Sequence, residues 1–189
     1  MAADQAVRLS REEYLAFERL SATKHEYVDG EVREMTGASR AHLLIAGNIH
    51  LILGNALRGK SFEVYEADRR VRIPRGPYYY PDVTVAPSPP ELEDEEADTL
   101  LNPLVIVECL SPSTRRIDRG EKLDNYRRIP SLTDYLIVAQ DRVWVDRYFR
   151  AGDGWQLEEF TTLTDRVPLP GLGCELPLVE VYDRIFPAQ

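Results

Sequence analysis

A short apolar run that ends in a carboxylate constrains the fold of this chain more than any other feature. Leu104 to Val107 form a largely β-branched segment after a proline, which is typical of a strand buried on both faces of a sheet. Glu108 follows without a break. A carboxylate in such a position is costly to desolvate unless it is paired, protonated or bound to a cation. We therefore expect a charged, oriented ligand at the C-terminal end of this strand.

The composition is that of an ordinary globular protein. The 189 residues are 43% hydrophobic and 29% charged, so we expect a single domain over residues 1–189 with a sizeable core. The N-terminus has no apolar signal core, and no segment approaches the roughly 18 uninterrupted apolar residues of a membrane span. The two cysteines lie far apart, which predicts reduced thiols in a cytoplasmic protein. The three histidines do not make a zinc site.

Charge is distributed unevenly along the chain. The net charge of -9 argues against indiscriminate affinity for nucleic acid or anionic membranes. Six acids and no base lie between Pro87 and Leu100, which predicts a solvated loop inserted into the domain. From Arg115 to Arg128, six bases and three acids give a local charge of six minus three, or +3. A cationic patch thus follows the buried glutamate.

Periodicity predicts a mixture of helices and strands. Ser10 and Glu13 form a capping-box pattern at the start of a first helix, and Asp29-Gly30 favours a tight hairpin turn. Apolar residues recur at helical spacing from about Ala41 to Leu57. We expect strands at 62–67, 71–73, 80–85, 135–139, 143–148 and 155–160, and helices at 118–128 and 177–185. This order predicts an α/β sandwich around a mixed sheet.

Three ionisable side chains are candidates for one site. Asp82 opens a strand, Glu108 ends another, and Lys122 lies on the helix that follows, so a small mixed sheet could bring them together. Two carboxylates from adjacent strands are hard oxygen ligands suited to Mg²⁺, which polarises a phosphoryl oxygen and activates water. A nearby ammonium would stabilise an anionic transition state or orient the nucleophile.

Each candidate also has a purely structural interpretation. Asp82 could cap a turn after Pro81, and Glu108 could be satisfied by an arginine such as Arg115 or by backbone donors. Lys122 lies four residues after Asp118, which is the spacing of a surface ion pair. By default, several further polar residues are helix-surface or hairpin positions, namely Glu26, Glu31, His42, His50 and Tyr126.

Five segments together resemble a known family: His25 to Glu31, the helix that begins near His42, Tyr80 to Val83, Val107 to Thr114, and Asp118 to Tyr126. The run from Glu108 to Tyr126, with Pro81-Asp82 upstream, is the specific part of this pattern. Over nearly the whole chain the sequence resembles the Uma-two family of restriction-endonuclease-like proteins, a branch of the PD-(D/E)XK nuclease superfamily.

The resemblance implies roles for the candidate residues. Asp82 matches the aspartate of the superfamily motif and Glu108 its second acid, both ligands of Mg²⁺ or Mn²⁺. The motif has a lysine two residues after the second acid, where this chain has Leu110. The family pattern carries a lysine on the following helix instead, so Lys122 is the expected replacement.

The resemblance also implies an overall architecture. We expect an α/β (α+β) restriction-endonuclease-like core with a mixed central sheet flanked by helices. The first helix and a C-terminal β-hairpin would be additions to that core. The family is often homodimeric, so a homodimer is the expected assembly.

The leading hypothesis is an endonuclease that hydrolyses DNA phosphodiester bonds, with Asp82 and Glu108 holding the metal and Lys122 assisting. The expected contacts to backbone phosphates come from Arg115, Arg116 and Arg119. A second hypothesis is a non-catalytic, dimeric nucleic-acid-binding or regulatory protein of the same fold, in which Glu108 is paired internally and Lys122 points to solvent. A third is hydrolysis of another phosphodiester or small phosphorylated substrate, because metal chemistry alone does not identify the leaving group.

Overall fold

The structure, a computed structural model, describes residues 8–35, 37–110 and 117–186. The helices are α1 (Arg11–Leu20), α2 (Arg40–Ala56), α3 (Leu123–Tyr126) and α4 (Leu178–Val181), with a π-helical turn at Asp118–Lys122 and a 3-10 turn at Pro170–Leu172. The strands are β1 (His25–Val28), β2 (Glu31–Glu34), β3 (Phe62–Glu66), β4 (Arg70–Arg72), β5 (Tyr78–Tyr79), β6 (Val83–Pro87), β7 (Thr99–Leu100), β8 (Val105–Leu110), β9 (Asp134–Ala139), β10 (Val145–Ala151), β11 (Gly154–Phe160), β12 (Arg166–Leu169) and β13 (Cys174–Pro177). None of the described helices is both long and apolar enough to cross a membrane.

The described strands form two main sheets and one separate hairpin. The larger sheet has the order β11-β10-β9-β8-β6-β3, and the smaller has the order β2-β1-β5-β4-β7. In the larger sheet β8 and β9 run parallel, whereas the other neighbours are antiparallel. Strands β12 and β13 pair with each other. The predicted fold class, mixed sheets flanked by helices, is confirmed, and the predicted C-terminal hairpin is the β10–β11 edge of the larger sheet.

Strand β8 is central in the larger sheet, and all of its residues are buried. Successive side chains of a strand point to opposite faces of the sheet. Cys109 belongs to the same apolar cluster as Ile45 of α2, and Ile106 belongs to a second cluster with Tyr126 of α3. The alternation therefore places Glu108 on the face covered by residues 118–126 and Cys109 on the face covered by α2.

Local sequence signals account for the helices and the first hairpin. Helix α2 confirms the predicted helix, and its N-cap is Ser39, whose hydroxyl accepts a hydrogen bond from the backbone N–H of His42. The predicted capping box at α1 is present. Asp29 and Gly30 both have positive φ, 50° and 93°, as the tight turn between β1 and β2 requires.

Three predicted boundaries were wrong. The strand expected from residue 80 begins at Val83, because the carboxylate of Asp82 accepts the backbone N–H of Cys109 in place of a ladder partner. The helix expected at 118–128 is a π-helical turn followed by α3, which ends at Tyr126. The last helix ends at Val181 rather than 185, and Arg184 beyond it has a positive φ of 61°, which a helix cannot continue.

The acidic segment between Pro87 and Leu100 was predicted to be a solvated loop, and this prediction was wrong for part of it. Its last two residues form β7, which pairs in parallel with β4. The side chain of Glu93 is only 4% exposed and contacts Arg11 and Arg72, the latter at 2.8 Å. These arginines are far away in sequence, so composition could not indicate that they would neutralise the segment.

Helix α1 is tied to the same segment. Arg19 lies 2.6 Å from Asp94 and 2.9 Å from Asp98. Burial opposes the ionisation of Asp98, but hydrogen bonds from Arg19 and Thr99 and the charge of Arg70 outweigh it and lower the pKa of Asp98 to about 2. The acidic segment thus holds α1 against the smaller sheet.

We expect the substitution Asp98→Asn to reduce the free energy of unfolding by about 1 kcal/mol at pH 7, because about a third of the side chain remains exposed and solvent screens its ion pairs. The folded-state pKa of Asp98 is below its unfolded value of 3.8, so this contribution is present above that pH and is lost as the pH falls toward 2. Urea unfolding at several pH values measures the difference, and Glu96→Gln, an exposed acid in the same segment, is the control. A loss that is independent of pH would contradict the assignment.

Candidate active site

Glu108 is buried at the end of β8 and is held by two donors. The Nζ atom of Lys122 lies 3.0 Å from its Oε1 atom, and the hydroxyl of Tyr126 donates to the same oxygen at 2.7 Å. Lys122 comes from the π-helical turn and Tyr126 from α3, so the segment after β8 folds back over the carboxylate. The predicted cost of burying this acid is therefore met by an ion pair and a hydrogen bond.

Lys122 is surrounded by carboxylates. Its Nζ atom lies 2.8 Å from Glu26, 3.0 Å from Glu108 and 3.7 Å from Asp118. The side chain is only 7% exposed, so this is a buried cluster rather than a surface ion pair with Asp118. Burial disfavours the ammonium form, but the carboxylates outweigh it and raise the pKa of Lys122 well above its usual value. The lysine therefore carries a positive charge at neutral pH.

Burial and neighbouring acids both act on the ionisation of Glu108. Burial raises the pKa of Glu108 well above its usual value, and the nearby charges of Asp118, Asp82 and Glu26 raise it further. Lys122 is the neighbour that opposes this rise. Three acids, Glu26, Glu108 and Asp118, thus lie within 4 Å of the one ammonium of Lys122.

Asp82 stands opposite Glu108 across two neighbouring strands. It immediately precedes β6, whose first residue pairs with Val107 of β8. One carboxylate oxygen, Oδ2, accepts the backbone N–H of Cys109 at 2.7 Å, and the other, Oδ1, lies 2.8 Å from Nε2 of His42. The hydrogen bond to Asp82 raises the pKa of His42, although burial opposes this. Asp82 is thus fixed by one group on the sheet and one on α2.

The three residues predicted to form the site therefore meet at one end of the larger sheet. Asp82 is a neighbour of Glu108, and Lys122 contacts Glu108 directly. The non-catalytic hypothesis required an internally paired Glu108 and a solvent-exposed Lys122. The first condition is met, but the second is not, because Lys122 is buried.

The predicted phosphate-binding arginines are only partly described. Arg115 and Arg116 lie outside the described residues. Arg119 is 35% exposed, and its Nη2 atom lies 2.7 Å from Asp146 of β10, whose side chain is buried. Its side chain is therefore anchored to the sheet and remains about a third exposed.

Sequence reasoning assigned Glu26, His42 and Tyr126 to hairpin or helix surfaces, whereas the structure places all three against the predicted site residues. Glu26 contacts Lys122, His42 contacts Asp82, and Tyr126 contacts Glu108. Local periodicity could not find them, because each depends on packing between distant elements. The available signal was the family pattern, whose segments include all three positions.

The fold defines a class of protein. A crystal structure described as "a putative nuclease belonging to DUF820", from Anabaena variabilis, matches with a TM-score of 0.75 and covers 94% of this chain and 99% of that one. The sequences are 15% identical, so this similarity shows a shared fold. The two proteins therefore have the same architecture.

The family follows from the sequence as a whole. Residues 11–179 match the model of the Uma2 family, described as "Putative restriction endonuclease", and the chain belongs to this family. Two uncharacterized proteins of Synechocystis sp. are similar over most of their length. The protein slr1290 is 34% identical over 177 residues, 93% of this chain and 92% of the relative. The protein sll1609 is 33% identical over 153 residues, 80% and 86% of the two chains. Family and fold together support a nuclease of the restriction-endonuclease type.

We expect Lys122→Met to reduce the free energy of unfolding by about 3 kcal/mol, because it leaves several buried carboxylates without their cation. Lys24→Met is the matched control, since Lys24 forms a surface pair with Asp68 and its loss should cost less than about 1 kcal/mol. Combining Lys122→Met with Glu108→Gln should restore part of the lost stability. Denaturant unfolding of the natural chain and the three variants measures these free energies. Equal losses of unfolding free energy in Lys122→Met and Lys24→Met would contradict the buried cluster.

Proposed function

We propose that this chain is a single-domain, Mg²⁺-dependent endonuclease that hydrolyses phosphodiester bonds in DNA. The observation that supports it most strongly is the arrangement at the end of β8. There a charged, buried Lys122 lies among carboxylates, and Asp82 immediately precedes the neighbouring strand β6. Membership of the Uma2 family and the nuclease-like fold indicate the same reaction class.

The donor chemistry of the site fits a divalent cation. Asp82 precedes the strand that pairs with the strand of Glu108, and both residues supply carboxylate oxygens, which Mg²⁺ prefers and Mn²⁺ also accepts. Glu26 and Glu108 both lie within 3.0 Å of the ammonium of Lys122, and carboxylates gathered in this way favour the binding of a further cation. Lys122 and Tyr126 both contact Oε1 of Glu108, so we assign Oε2 to the ion.

An ion held by Asp82 and Glu108 would polarise a phosphoryl oxygen and lower the pKa of a bound water molecule. The chain's own residues position the reacting groups around it. Lys122 keeps its positive charge next to Glu108 and would stabilise the negative charge that develops on the phosphoryl group. Tyr126 fixes the orientation of Glu108, and His42 and the N–H of Cys109 fix the two oxygens of Asp82.

The net charge of -9 is compatible with DNA as the substrate, because the charge is unevenly distributed. The ion pairs of Glu93, Asp94 and Asp98 neutralise part of the acidic segment and so reduce its repulsion of phosphates. The proposed phosphate contacts come from Arg115, Arg116 and the partly exposed Arg119. A homodimer, as the family resemblance implies, would present two such sites to one duplex.

The test is cleavage of supercoiled plasmid DNA by the purified chain with Mg²⁺ or Mn²⁺. We expect nicking that EDTA abolishes, and a fall in rate of about 100-fold or more in Asp82→Ala and Glu108→Ala, since both remove a ligand of the ion. Glu175→Gln, an acid on the separate β12–β13 hairpin, is the matched control and should retain full activity. Folding of each variant is checked by circular dichroism.

Two outcomes would overturn the proposal. One is an absence of metal-dependent cleavage in the natural chain on supercoiled, linear and single-stranded DNA. The other is cleavage that persists undiminished in Glu108→Ala, because it would then arise from a contaminant or from another site. A hydrolysis of small phosphodiesters without any action on DNA would instead support the same metal chemistry on a different substrate.

A further inference from the structure

We propose that the chain has a second metal site, for Zn²⁺ or a similar transition-metal ion, formed by His42, Asp82 and Cys109. The imidazole, carboxylate and thiol donor atoms of these residues all lie within 4.8 Å of one another. The site lies on the face of β8 covered by α2, whereas Glu108 and Lys122 lie on the other face. This inference depends on the proposed function only through Asp82, which is a ligand in both the proposed Mg²⁺ site and the second metal site.

The distances among the donor atoms suit a small tetrahedral ion. Bonds from Zn²⁺ to nitrogen and oxygen are about 2.0–2.2 Å and to sulfur about 2.3 Å, so the ligand atoms of one ion are roughly 3.3–3.6 Å apart. Here Nε2 of His42 and Oδ1 of Asp82 are 2.8 Å apart, and no pair exceeds 4.8 Å. Adjustments of about 1 Å in side-chain position would therefore admit the ion.

The donor types select the class of metal. Imidazole and thiolate are the ligands of zinc-like ions, whereas Mg²⁺ prefers carboxylate, carbonyl and water oxygens. Glu108 and Asp82 offer only oxygens, while His42 and Cys109 add a nitrogen and a sulfur. The two faces of β8 therefore have different metal preferences. Three protein ligands leave the fourth tetrahedral position to water.

The surrounding structure holds the three ligands in place. The backbone N–H of Cys109 donates to Oδ2 of Asp82, which directs Oδ1 toward His42. His42 lies in the first turn of α2, where its own N–H donates to Ser39 at 3.1 Å. Cys109 is 2% exposed and packs in the apolar cluster beneath α2. Ligands on rigid elements with such supporting hydrogen bonds are typical of built metal sites.

Metal binding at this site has a definite proton balance and a consequence for catalysis. The S–H bond of Cys109 breaks and its proton passes to solvent. The proton that Nε2 of His42 donates to Asp82 also leaves, to solvent from the imidazolium or to Nδ1 in the neutral imidazole. Metal–sulfur and metal–nitrogen bonds form in their place, with no change of oxidation state. Binding of the ion to Oδ1 of Asp82 also breaks the hydrogen bond between that oxygen and His42. Because Asp82 is a ligand of the proposed Mg²⁺ site, Zn²⁺ bound here should inhibit Mg²⁺-dependent cleavage.

Co²⁺ is the probe, because its complexes with thiolate absorb in the near ultraviolet and its tetrahedral complexes absorb strongly in the visible range. We expect the metal-free, reduced chain to bind one Co²⁺ with both signals and to lose them on addition of Zn²⁺. Cys109→Ser should lose the near-ultraviolet signal, and His42→Gln should weaken binding at least about tenfold. Cys174→Ser is the matched control, since Cys174 lies on β13 outside the cluster, and it should keep both signals.

The outcome separates this inference from the proposed nuclease. Glu108→Gln should abolish DNA cleavage and yet keep the cobalt–thiolate signal, because Glu108 is not a ligand of this ion. Absence of the cobalt–thiolate signal in the natural chain would overturn the second site, and so would persistence of that signal in Cys109→Ser. Cys109 would then be a core residue next to a hydrogen-bonded pair of His42 and Asp82. Should Cys109→Ser fail to fold, undiminished cobalt binding by folded His42→Gln would overturn it equally.

Discussion

The burial of Glu108 together with Lys122 is the interaction on which the arrangement of this molecule depends. Neither charge can leave water alone without a large desolvation cost, so the chain must bring them together. Glu108 is on the central strand, Lys122 is on the segment that folds back over it, and Glu26 is on the first hairpin. One ammonium group thus joins the two sheets and the helical segment at a single point. A hydrophobic core would hold these elements together but would not fix this end of β8 in one geometry.

The end of β8 also separates two kinds of donor. Glu108 faces Lys122 and Tyr126, whereas Cys109, the next residue, faces α2. Asp82 lies at the boundary, opposite Glu108 in the strand register and hydrogen-bonded to His42. An acid in this position can serve either face, so in the two proposed sites its choice of partner would decide which ion it helps to bind. The proposed chemistry would therefore depend as much on the orientation of Asp82 as on the presence of the acids.

The sequence was sufficient for those features that depend on local pattern. The apolar run before Glu108, the capping box at Ser10 and the Asp29-Gly30 turn each encode their structure within a few residues. The sequence could not predict pairings between distant segments. The contact of Arg19 with the acidic segment brings together residues that no short motif connects.

The candidate site shows the same division. Asp82, Glu108 and Lys122 were predicted from strand ends and from the family pattern, and the structure brings them together. Glu26 and His42 were assigned to exposed surfaces, because their burial arises only when β1 packs beside the segment 118–126 and α2 covers β6. Their burial and contacts depend on tertiary packing, which hydrophobic periodicity does not predict.

The most direct measurement is a crystal structure of the protein grown or soaked with Mn²⁺, with anomalous scattering used to locate the ion. If Asp82 and Glu108 form one metal site, an anomalous peak should lie about 2 Å from a carboxylate oxygen of each residue, with Lys122 adjacent. If no peak lies between Asp82 and Glu108 even with DNA bound, and Glu108 stays paired with Lys122 and Asp82 with His42, the result would contradict a metal-dependent nuclease.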